Sequence, residues 1–331
     1  MQQGHNAYKS MRIAVLLPCY NEEGAIGAVV RKAAQVLPGG DIYVFDNNST
    51  DRTAQEAREA GAIVITERYQ GKGHVVRRMF SEIEADVYLM ADGDGTYGIE
   101  SAPELIGTLV AGRLDMVIGK RVPVYHQKTY RPGHVFGNRL LTTLAHFFFG
   151  RGFTDMLSGY RVFSRRFVKS FPVLSGGFEI ETEMTVHCLS LNLPHAEVRT
   201  PYYERADGTR SKLKTYQDGL RILLVMIRLF KDYHPLAFFN GAGAVLAAVA
   251  LFLFVPVLNE YLETGFVLRL PIAVLSAGLM IAAFLSVNAG FILDSVARQR
   301  LENKKLAYLA QDNRTSPRTP FPLSLRSGED S

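Results

Sequence analysis

Residues 87–97, VYLMADGDGTY, place two aspartates directly after a short apolar run. The run at 87–90 is typical of a buried strand, and the glycines after it favour a loop. Because residues i and i+2 of an extended segment point to the same side, Asp92 and Asp94 can converge on one point. Paired carboxylates repel, and Mg²⁺ or Mn²⁺ neutralises them. The stretch predicts a divalent metal site, although a solvated acidic turn is the alternative from these residues alone.

Strand and helix patterns alternate around this stretch. Apolar runs predict strands at residues 12–17, 42–45, 63–66, 87–90, 116–118 and 195–200. Helical patterns between them predict an α/β fold with a mainly parallel sheet covered by helices. Four polar residues fall at or near the carboxyl ends of predicted strands, namely Asp46, Lys72, Asp92 and Asp94. Sheets of this class bind ligands at that edge, so the coincidence favours a functional site.

Composition narrows the class of protein. The chain has 331 residues with a formal charge of +5, and its basic residues are not interleaved with aromatic ones. This argues against a nucleic-acid partner. Cys19 and Cys188 lie far apart without a C-x-x-C pattern, so neither a disulfide framework nor a zinc site is indicated. The polar segment 1–10 lacks an apolar signal core, so we expect the first domain to stay in the cytosol.

Two long apolar stretches follow the predicted sheet. Residues 236–258 and 270–293 are each long enough, at about 1.5 Å per residue, to cross a hydrocarbon core of about 30 Å. They predict a two-helix transmembrane hairpin. Residues 213–235 repeat a basic residue every seven positions on an apolar helical pattern, which predicts an amphipathic helix in the membrane interface. The alternative for this segment is a buried core helix with one wet edge.

The distribution of basic residues predicts the topology. Lysines and arginines flank the apolar pair on both outer sides, whereas the connecting loop, 259–269, carries two acids and one arginine. The positive-inside rule therefore puts both termini and the domain before the hairpin in the cytoplasm, with the connecting loop outside and the hairpin in the inner membrane. Residues 294–331 are predicted to be a basic, disordered cytoplasmic tail.

Six short motifs resemble a known family in their order and spacing. They are residues 18–23 (PCYNEE), 45–51 (FDNNSTD), 71–73 (GKG), 92–94 (DGD), 119–121 (GKR) and 158–161 (SGYR). Residues 11–212 resemble a GT-A glycosyltransferase, Rossmann-like in its sheet, of the large inverting family 2 that includes dolichol-phosphate mannose synthase. The closest resemblance is to bacterial membrane-anchored members that charge polyprenyl phosphate with a sugar.

The resemblance implies roles for individual residues. A nucleotide sugar would be held by Pro18, Tyr20, Glu22, Asp46, Lys72, Asp92 and Gly93. Asp92 and Asp94 would bind the Mg²⁺ or Mn²⁺ that bridges its diphosphate. Phosphates of the donor or acceptor would be met by Arg121, Arg205 and Lys212. The chain departs from the family at Asn47 and Thr96, where the mannose synthases usually carry an acid and a glutamine, and these changes leave the sugar and the base open.

Two acceptors remain open at the level of sequence. The leading hypothesis is inverting sugar transfer to a polyprenyl phosphate, and the alternative is a glycolipid synthase that uses a lipid hydroxyl. A lipid phosphate is already an anion, whereas an alcohol needs a general base, for which Asp155 and Glu181 are candidates. The competing interpretations are a turn or cap acid for Asp155, and a solvated helix start for Glu179, Glu181 and Glu183.

A third hypothesis, a nucleotide-sugar sensor without turnover, is disfavoured by the acid pair and the basic residues. The oligomeric state is left open, with a homo-oligomer as one possibility.

Overall fold

The computed structural model describes residues 11–124, 153–177, 179–203, 223–224 and 227–311. Its strands form one seven-stranded sheet in the order β3-β2-β1-β4-β6-β5-β7. They are β1 (Ile13–Cys19), β2 (Asp41–Asp46), β3 (Ile63–Thr66), β4 (Val87–Met90), β5 (Met116–Pro123), β6 (Arg161–Ser164) and β7 (His195–Tyr202). Only β6 runs antiparallel to its neighbours among these strands. The predicted α/β fold with a mainly parallel sheet is confirmed.

Helices cover both faces of this sheet. They are α1 (Ile26–Val36), α2 (Thr53–Glu59), α3 (Lys72–Glu82), α4 (Ala102–Ala111), α5 (Arg165–Ser170) and α6 (Ile180–Ser190). Along β1, Ala14 and Leu16 pack with α3, α5 and α6, whereas Val15 and Leu17 pack with α1 and α4. Both faces of the strand are buried, which explains its continuous apolar run.

Strand β6 is missing from the sequence prediction. Its four residues include Arg161, which is fully buried and donates to the carbonyl oxygens of Met156 and Ser158 and to Thr185 Oγ1. Burial lowers the pKa of this guanidinium, but its hydrogen bonds satisfy it inside the domain. A charged residue in so short a run hides the strand pattern.

The connections that follow β1 and β4, the two central strands, run towards opposite edges of the sheet. From β1 the chain continues to β2 on one side, and β4 lies on the other side of β1. Such a switch point leaves a crevice at the carboxyl ends of the two strands, and ligands of doubly wound sheets bind there. The D-x-D loop after β4 and the segment after β1 therefore face the same crevice.

Two helices, α7 (Pro235–Thr264) and α8 (Leu270–Leu309), are long and apolar enough to cross a membrane. They pack against each other through small or β-branched residues spaced seven apart, namely Gly243, Ala250 and Val257 on α7 and Ser276, Ala283 and Gly290 on α8. Their large apolar side chains mostly face outward. This arrangement agrees with the predicted hairpin.

The predicted disordered tail from residue 294 is wrong up to Leu309. Helix α8 continues through this segment because it contains good helix formers and no glycine or proline. Leu301 and Tyr308 also pack against the core of the sheet domain. The remaining tail (312–331), the segment 1–10, residues 125–152 and most of the predicted amphipathic helix at 213–235 lie outside the described residues.

His187 on α6 gives the fold a dependence on pH. It is 1% exposed, its ring contacts Phe167 and Phe171, and its nitrogens have no hydrogen-bond partner within the described part of the chain. Burial, assisted by the charge of Lys304, lowers the pKa of His187 to about 3. The unfolded chain therefore binds a proton near pH 6.5 that the folded chain excludes.

We expect the stability from neutral His187 to be complete above pH 6.5 and to fall as the pH drops towards 3. At pH 5 the loss is about 2 kcal/mol, since each pKa unit corresponds to about 1.4 kcal/mol. The check is the unfolding free energy of wild type and His187→Leu at pH 7 and pH 5. An equal decrease in both proteins would contradict the assignment.

Candidate active site

The crevice at the switch point contains a cavity of about 360 Å³. Eight residues that the sequence analysis assigned to the site or named as a candidate base line it, namely Pro18, Tyr20, Glu22, Lys72, Asp92, Asp94, Arg121 and Glu181. Further lining residues were not assigned by sequence, namely Asn47, Gln70, Tyr97, Leu157 and Tyr202. Asp46, Gly93 and Asp155 are not part of the wall. Arg205 and Lys212 lie outside the described residues.

The acid pair is built by tight packing of the D-x-D loop. Asp94 is buried, and its Oδ1 accepts hydrogen bonds from Thr96 N at 3.1 Å and Thr96 Oγ1 at 2.7 Å. A side chain at Gly93 would place its Cβ 2.2 Å from Cys19 Sγ, so glycine is needed between the two acids. This gives Gly93 a packing role, and its predicted nucleotide contact stays a prediction.

Lys72 lies between two carboxylates at the start of α3. Its Nζ is 2.5 Å from Asp92 Oδ1 and 2.6 Å from Glu181 Oε1, and its side chain is only 8% exposed. Burial lowers the pKa of Lys72, but the charges of Asp92 and Glu181 outweigh this and raise it above its ordinary value. Burial also raises the pKa of Asp92, against the opposing effect of Lys72. Lys72 is therefore a permanent ammonium in the cavity wall.

The glycines beside Lys72 allow close contact between two backbones. A Cβ at Gly73 would lie 2.0 Å from the Ser175 carbonyl oxygen, and one at Gly71 would lie 2.2 Å from the Gly176 carbonyl oxygen. Glu183 fixes this neighbouring loop by accepting from the amides of Leu174 and Ser175. The G-K-G motif thus lets α3 start against that loop, and the loop holds Lys72 in place.

The interpretation of the acids on α6 as a solvated helix start is wrong for two of them. Glu181 and Glu183 are 4% and 7% exposed. Glu181 pairs with Lys72 in the cavity wall, and Glu183 clamps the loop before the helix. The sequence could not separate these roles because both acids stand in the same helical turn.

Arg121 forms a two-point ion pair with Asp155. Its Nε donates to Asp155 Oδ2 at 2.8 Å and its Nη2 donates to Oδ1 at 2.6 Å, while the Arg121 amide donates to Oδ2 at 3.1 Å. Glu197 accepts from the Asp155 amide at 3.0 Å. Arg121 also lies over the Tyr202 ring, 5.6 Å from its centroid. Asp155 is therefore neither a turn nor a cap acid. Asp155 does not line the cavity itself, but it fixes the orientation of Arg121, which does.

Two tyrosines complete the wall on the side of β7. The Tyr97 hydroxyl accepts from the Gly159 amide at 2.8 Å, and its ring packs edge-on against Tyr202 at 5.3 Å. Burial raises the pKa of Tyr97, so its hydroxyl stays protonated. A sequence signal existed for both residues, since Tyr97 ends the D-x-D stretch and Tyr202 follows a predicted strand.

Asn47 holds the opposite wall of the cavity. Its Nδ2 donates to the Tyr69 carbonyl oxygen at 2.7 Å, and its Oδ1 accepts from the Gly71 amide at 2.7 Å. Asn47 thus binds the residues on both sides of Gln70 and fixes the loop that places Gln70 in the cavity wall. The neighbouring Asp46 is buried and accepts from the Ser49 amide, and its predicted contact with the nucleotide stays a prediction.

We expect Asn47→Asp to raise the KM for the nucleotide sugar at least about fivefold with little change in kcat. The carboxylate has no hydrogen to donate and would face the Tyr69 carbonyl oxygen, so the loop would lose its fixed position. Steady-state kinetics with varied donor measure this. Asn48→Asp is the control, because Asn48 is exposed. Equal KM values for both variants and wild type would contradict this role of Asn47.

The acid pair fits a hard divalent ion. Asp92 and Asp94 both reach the cavity, and Mg²⁺ usually takes one or two carboxylates and completes its shell with water and substrate phosphates. Within the described residues, no group of three or more histidines, cysteines or acids has the spacing of an all-protein metal cage. The donor set therefore fits an ion shared with a phosphate ligand.

A mixed seven-stranded sheet with a D-x-D loop at its switch point defines the GT-A class of glycosyltransferase. Residues 14–171 match the family described as glycosyl transferase family 2. The chain belongs to this family and is a glycosyltransferase that uses nucleotide sugars.

Two relatives from Haloferax volcanii span much of the chain. Glycosyltransferase AglJ is 36% identical over 75% of this chain and 82% of its own length. A dolichyl-phosphate hexose transferase is 30% identical over 63% of this chain and 90% of its own. Glucosyl-3-phosphoglycerate synthase of Mycobacterium tuberculosis, solved with Mn²⁺, UDP-glucose and phosphoglyceric acid, shares the fold with a TM-score of 0.56 and 23% identity. The structural match covers 69% of this chain and 83% of the synthase chain.

Proposed function

We propose that the protein transfers a sugar, with inversion, from a nucleoside-diphosphate sugar to a polyprenyl phosphate at the cytoplasmic membrane face. The product is a polyprenyl-phosphate sugar. The name of the dolichyl-phosphate hexose transferase supports a lipid phosphate as acceptor, and the two apolar helices support a membrane anchor.

The donor would lie across the switch point. Pro18, Tyr20, Glu22 and Asp46 are proposed for the base and ribose, with Lys72 and the D-x-D loop at the diphosphate. Asp92 and Asp94 would hold Mg²⁺ or Mn²⁺, which would neutralise charge on the departing nucleoside diphosphate. Lys72 adds a second positive charge to the same end of the cavity.

A phosphate acceptor is favoured over an alcohol because both candidate bases, Asp155 and Glu181, are held in ion pairs. Asp155 binds Arg121 at two points, and Glu181 binds Lys72. Either carboxylate would have to give up a buried ion pair in order to take a proton from an alcohol. A phosphate acceptor needs no such step, because its oxygen is already charged.

Arg121 is suited to the phosphate itself. Its guanidinium is held in place by Asp155, and a guanidinium makes charge-assisted hydrogen bonds to phosphate oxygens. Arg205 and Lys212 are proposed to join it, on the strength of the family resemblance alone.

Both ends of the helical hairpin lie on the side of the catalytic domain. Helix α7 follows that domain in the chain, and the end of α8 contacts it through Tyr308 and Asp115. The basic residues on this side support a cytoplasmic orientation in the inner membrane.

The test of the acceptor compares two substitutions at Asp155. If Asp155 only positions Arg121, Asp155→Asn keeps a partner for the guanidinium and loses less than about a hundredfold in kcat/KM, whereas Asp155→Ala loses more. A general base contributes about 10²–10⁴-fold, so its removal would make the two variants equally inactive. Initial rates with a panel of nucleotide sugars, measured with undecaprenyl phosphate and separately with undecaprenol, separate the two cases.

A further inference from the structure

The end of α8 is docked on the catalytic domain. The Tyr308 hydroxyl donates to Asp115 Oδ2 at 2.6 Å, and the Arg166 guanidinium lies 4.1 Å from the centre of the Tyr308 ring. Leu301, two turns earlier, packs against the same core. A helix that is apolar at its start thus ends as part of the sheet domain.

This contact satisfies a buried carboxylate. Asp115 is 4% exposed, and its other oxygen accepts from the Ser164 hydroxyl at 2.6 Å. Loss of Tyr308 would leave one Asp115 oxygen buried without this donor, which is costly. The catalytic domain is therefore discontinuous in sequence, because residues 301–311 pack against a core formed by segments between residues 11 and 203.

A second contact fixes the other end of the hairpin. Lys304 Nζ donates to the Tyr233 hydroxyl at 2.7 Å and lies 5.0 Å from that ring's centroid. Tyr233 stands just before α7. The segments that enter and leave the hairpin are thereby tied to each other next to the domain.

Rigid elements connect the apolar part of α8 to the cavity. From Leu293 to Tyr308 the helix rises about 22 Å at 1.5 Å per residue. Asp115 immediately precedes β5, and the same strand carries Arg121, about 20 Å further on at 3.3 Å per residue. Helix α8 has no glycine or proline between Leu293 and Tyr308, and β5 pairs with β7 along its whole length.

We propose that residues 294–311 form a positioning strut that sets the height and orientation of the cavity above the membrane, so that the phosphate of a membrane-embedded acceptor reaches Arg121. Tyr308 and Asp115 are its positioning residues. This inference rests on the proposed function, because it assumes a lipid phosphate held at the membrane surface.

The test lengthens the strut without turning its docking face. Seven alanines inserted between Arg300 and Leu301 add about 10.5 Å and rotate the helix by only about 20°. The full chain in nanodiscs is assayed with undecaprenyl phosphate in the bilayer and with a short-chain, water-soluble polyprenyl phosphate. We expect kcat/KM to fall at least tenfold for the embedded acceptor and to change less than about threefold for the soluble one.

Two controls accompany this variant. Seven alanines between Gly265 and Phe266 lengthen the loop at the far end of the hairpin and should change neither rate. Tyr308→Phe removes only the hydroxyl that reaches Asp115, and we expect faster hydrogen exchange in β5 together with a lower ratio of embedded to soluble turnover.

Equal losses of kcat/KM with both acceptors would show that the strut has only a structural role, and this would overturn the inference. Unchanged rates with both acceptors would also overturn it. If wild type instead uses a lipid alcohol and neither phosphate, the proposed function fails. The ratio of embedded to soluble turnover is then measured with long-chain and short-chain forms of that alcohol, so the strut is still tested.

Discussion

Asp94→Asn lowers kcat/KM by about 10³-fold or more and leaves the stability of the protein nearly unchanged. Asparagine keeps an oxygen that can accept from the Thr96 amide and hydroxyl, so the loop retains its shape. It removes the negative charge that a divalent ion requires, and loss of one preorganised electrostatic contact alone costs about 10²–10³-fold. Initial rates and thermal unfolding of the purified full chain measure the two effects.

The matched control is Asp86→Asn, at the opposite end of β4. Asp86 accepts from the Arg12 amide and lies far along the strand from the cavity, so its substitution should leave turnover unchanged. Wild-type turnover by Asp94→Asn, or full wild-type activity in excess chelator, would remove the metal from the mechanism.

Lys72→Met destabilises the protein by about 3–5 kcal/mol and abolishes most turnover. Methionine has a similar length but no charge, and it leaves the buried Glu181 and the partly exposed Asp92 without their common partner. Breaking one side of a buried ion pair typically costs this much. The measurement is the unfolding midpoint in denaturant, together with the rate at saturating donor.

The double variant Lys72→Met/Glu181→Gln separates stability from catalysis. Neutralising Glu181 removes one of the two unpaired charges, so a large part of the stability should return while turnover stays low. Lys32→Met is the control, since the Lys32–Glu100 pair is half exposed and should contribute little. A stable, active Lys72→Met protein would contradict the role given to this ammonium.

The sequence predicted the sheet where strands are apolar throughout and helices are amphipathic. β1 and β4 are buried on both faces, and their loops carry the polar residues that line the crevice. Because parallel strands share one carboxyl edge, knowing the strands was enough to bring Asp92, Lys72 and Tyr20 together.

Tertiary contacts explain what the sequence did not reveal. Glu181 and Lys72 meet only because α6 packs beside α3, and no local pattern encodes that pair. Strand β6 is hidden by its buried arginine, and the end of α8 by the assumption that a helix stops with its apolar run. In each case the contacting residues are far apart in the sequence, and a periodic pattern describes only local structure.

The most direct test of the whole account is the identity of the acceptor. The purified chain is incubated with Mg²⁺ or Mn²⁺, nucleotide sugars, and equal amounts of undecaprenyl phosphate, undecaprenol and diacylglycerol, and the lipid products are identified by mass spectrometry. The account predicts one dominant product, the sugar linked to undecaprenyl phosphate. A glycosylated alcohol as the main product, with the phosphate left unused, would contradict it.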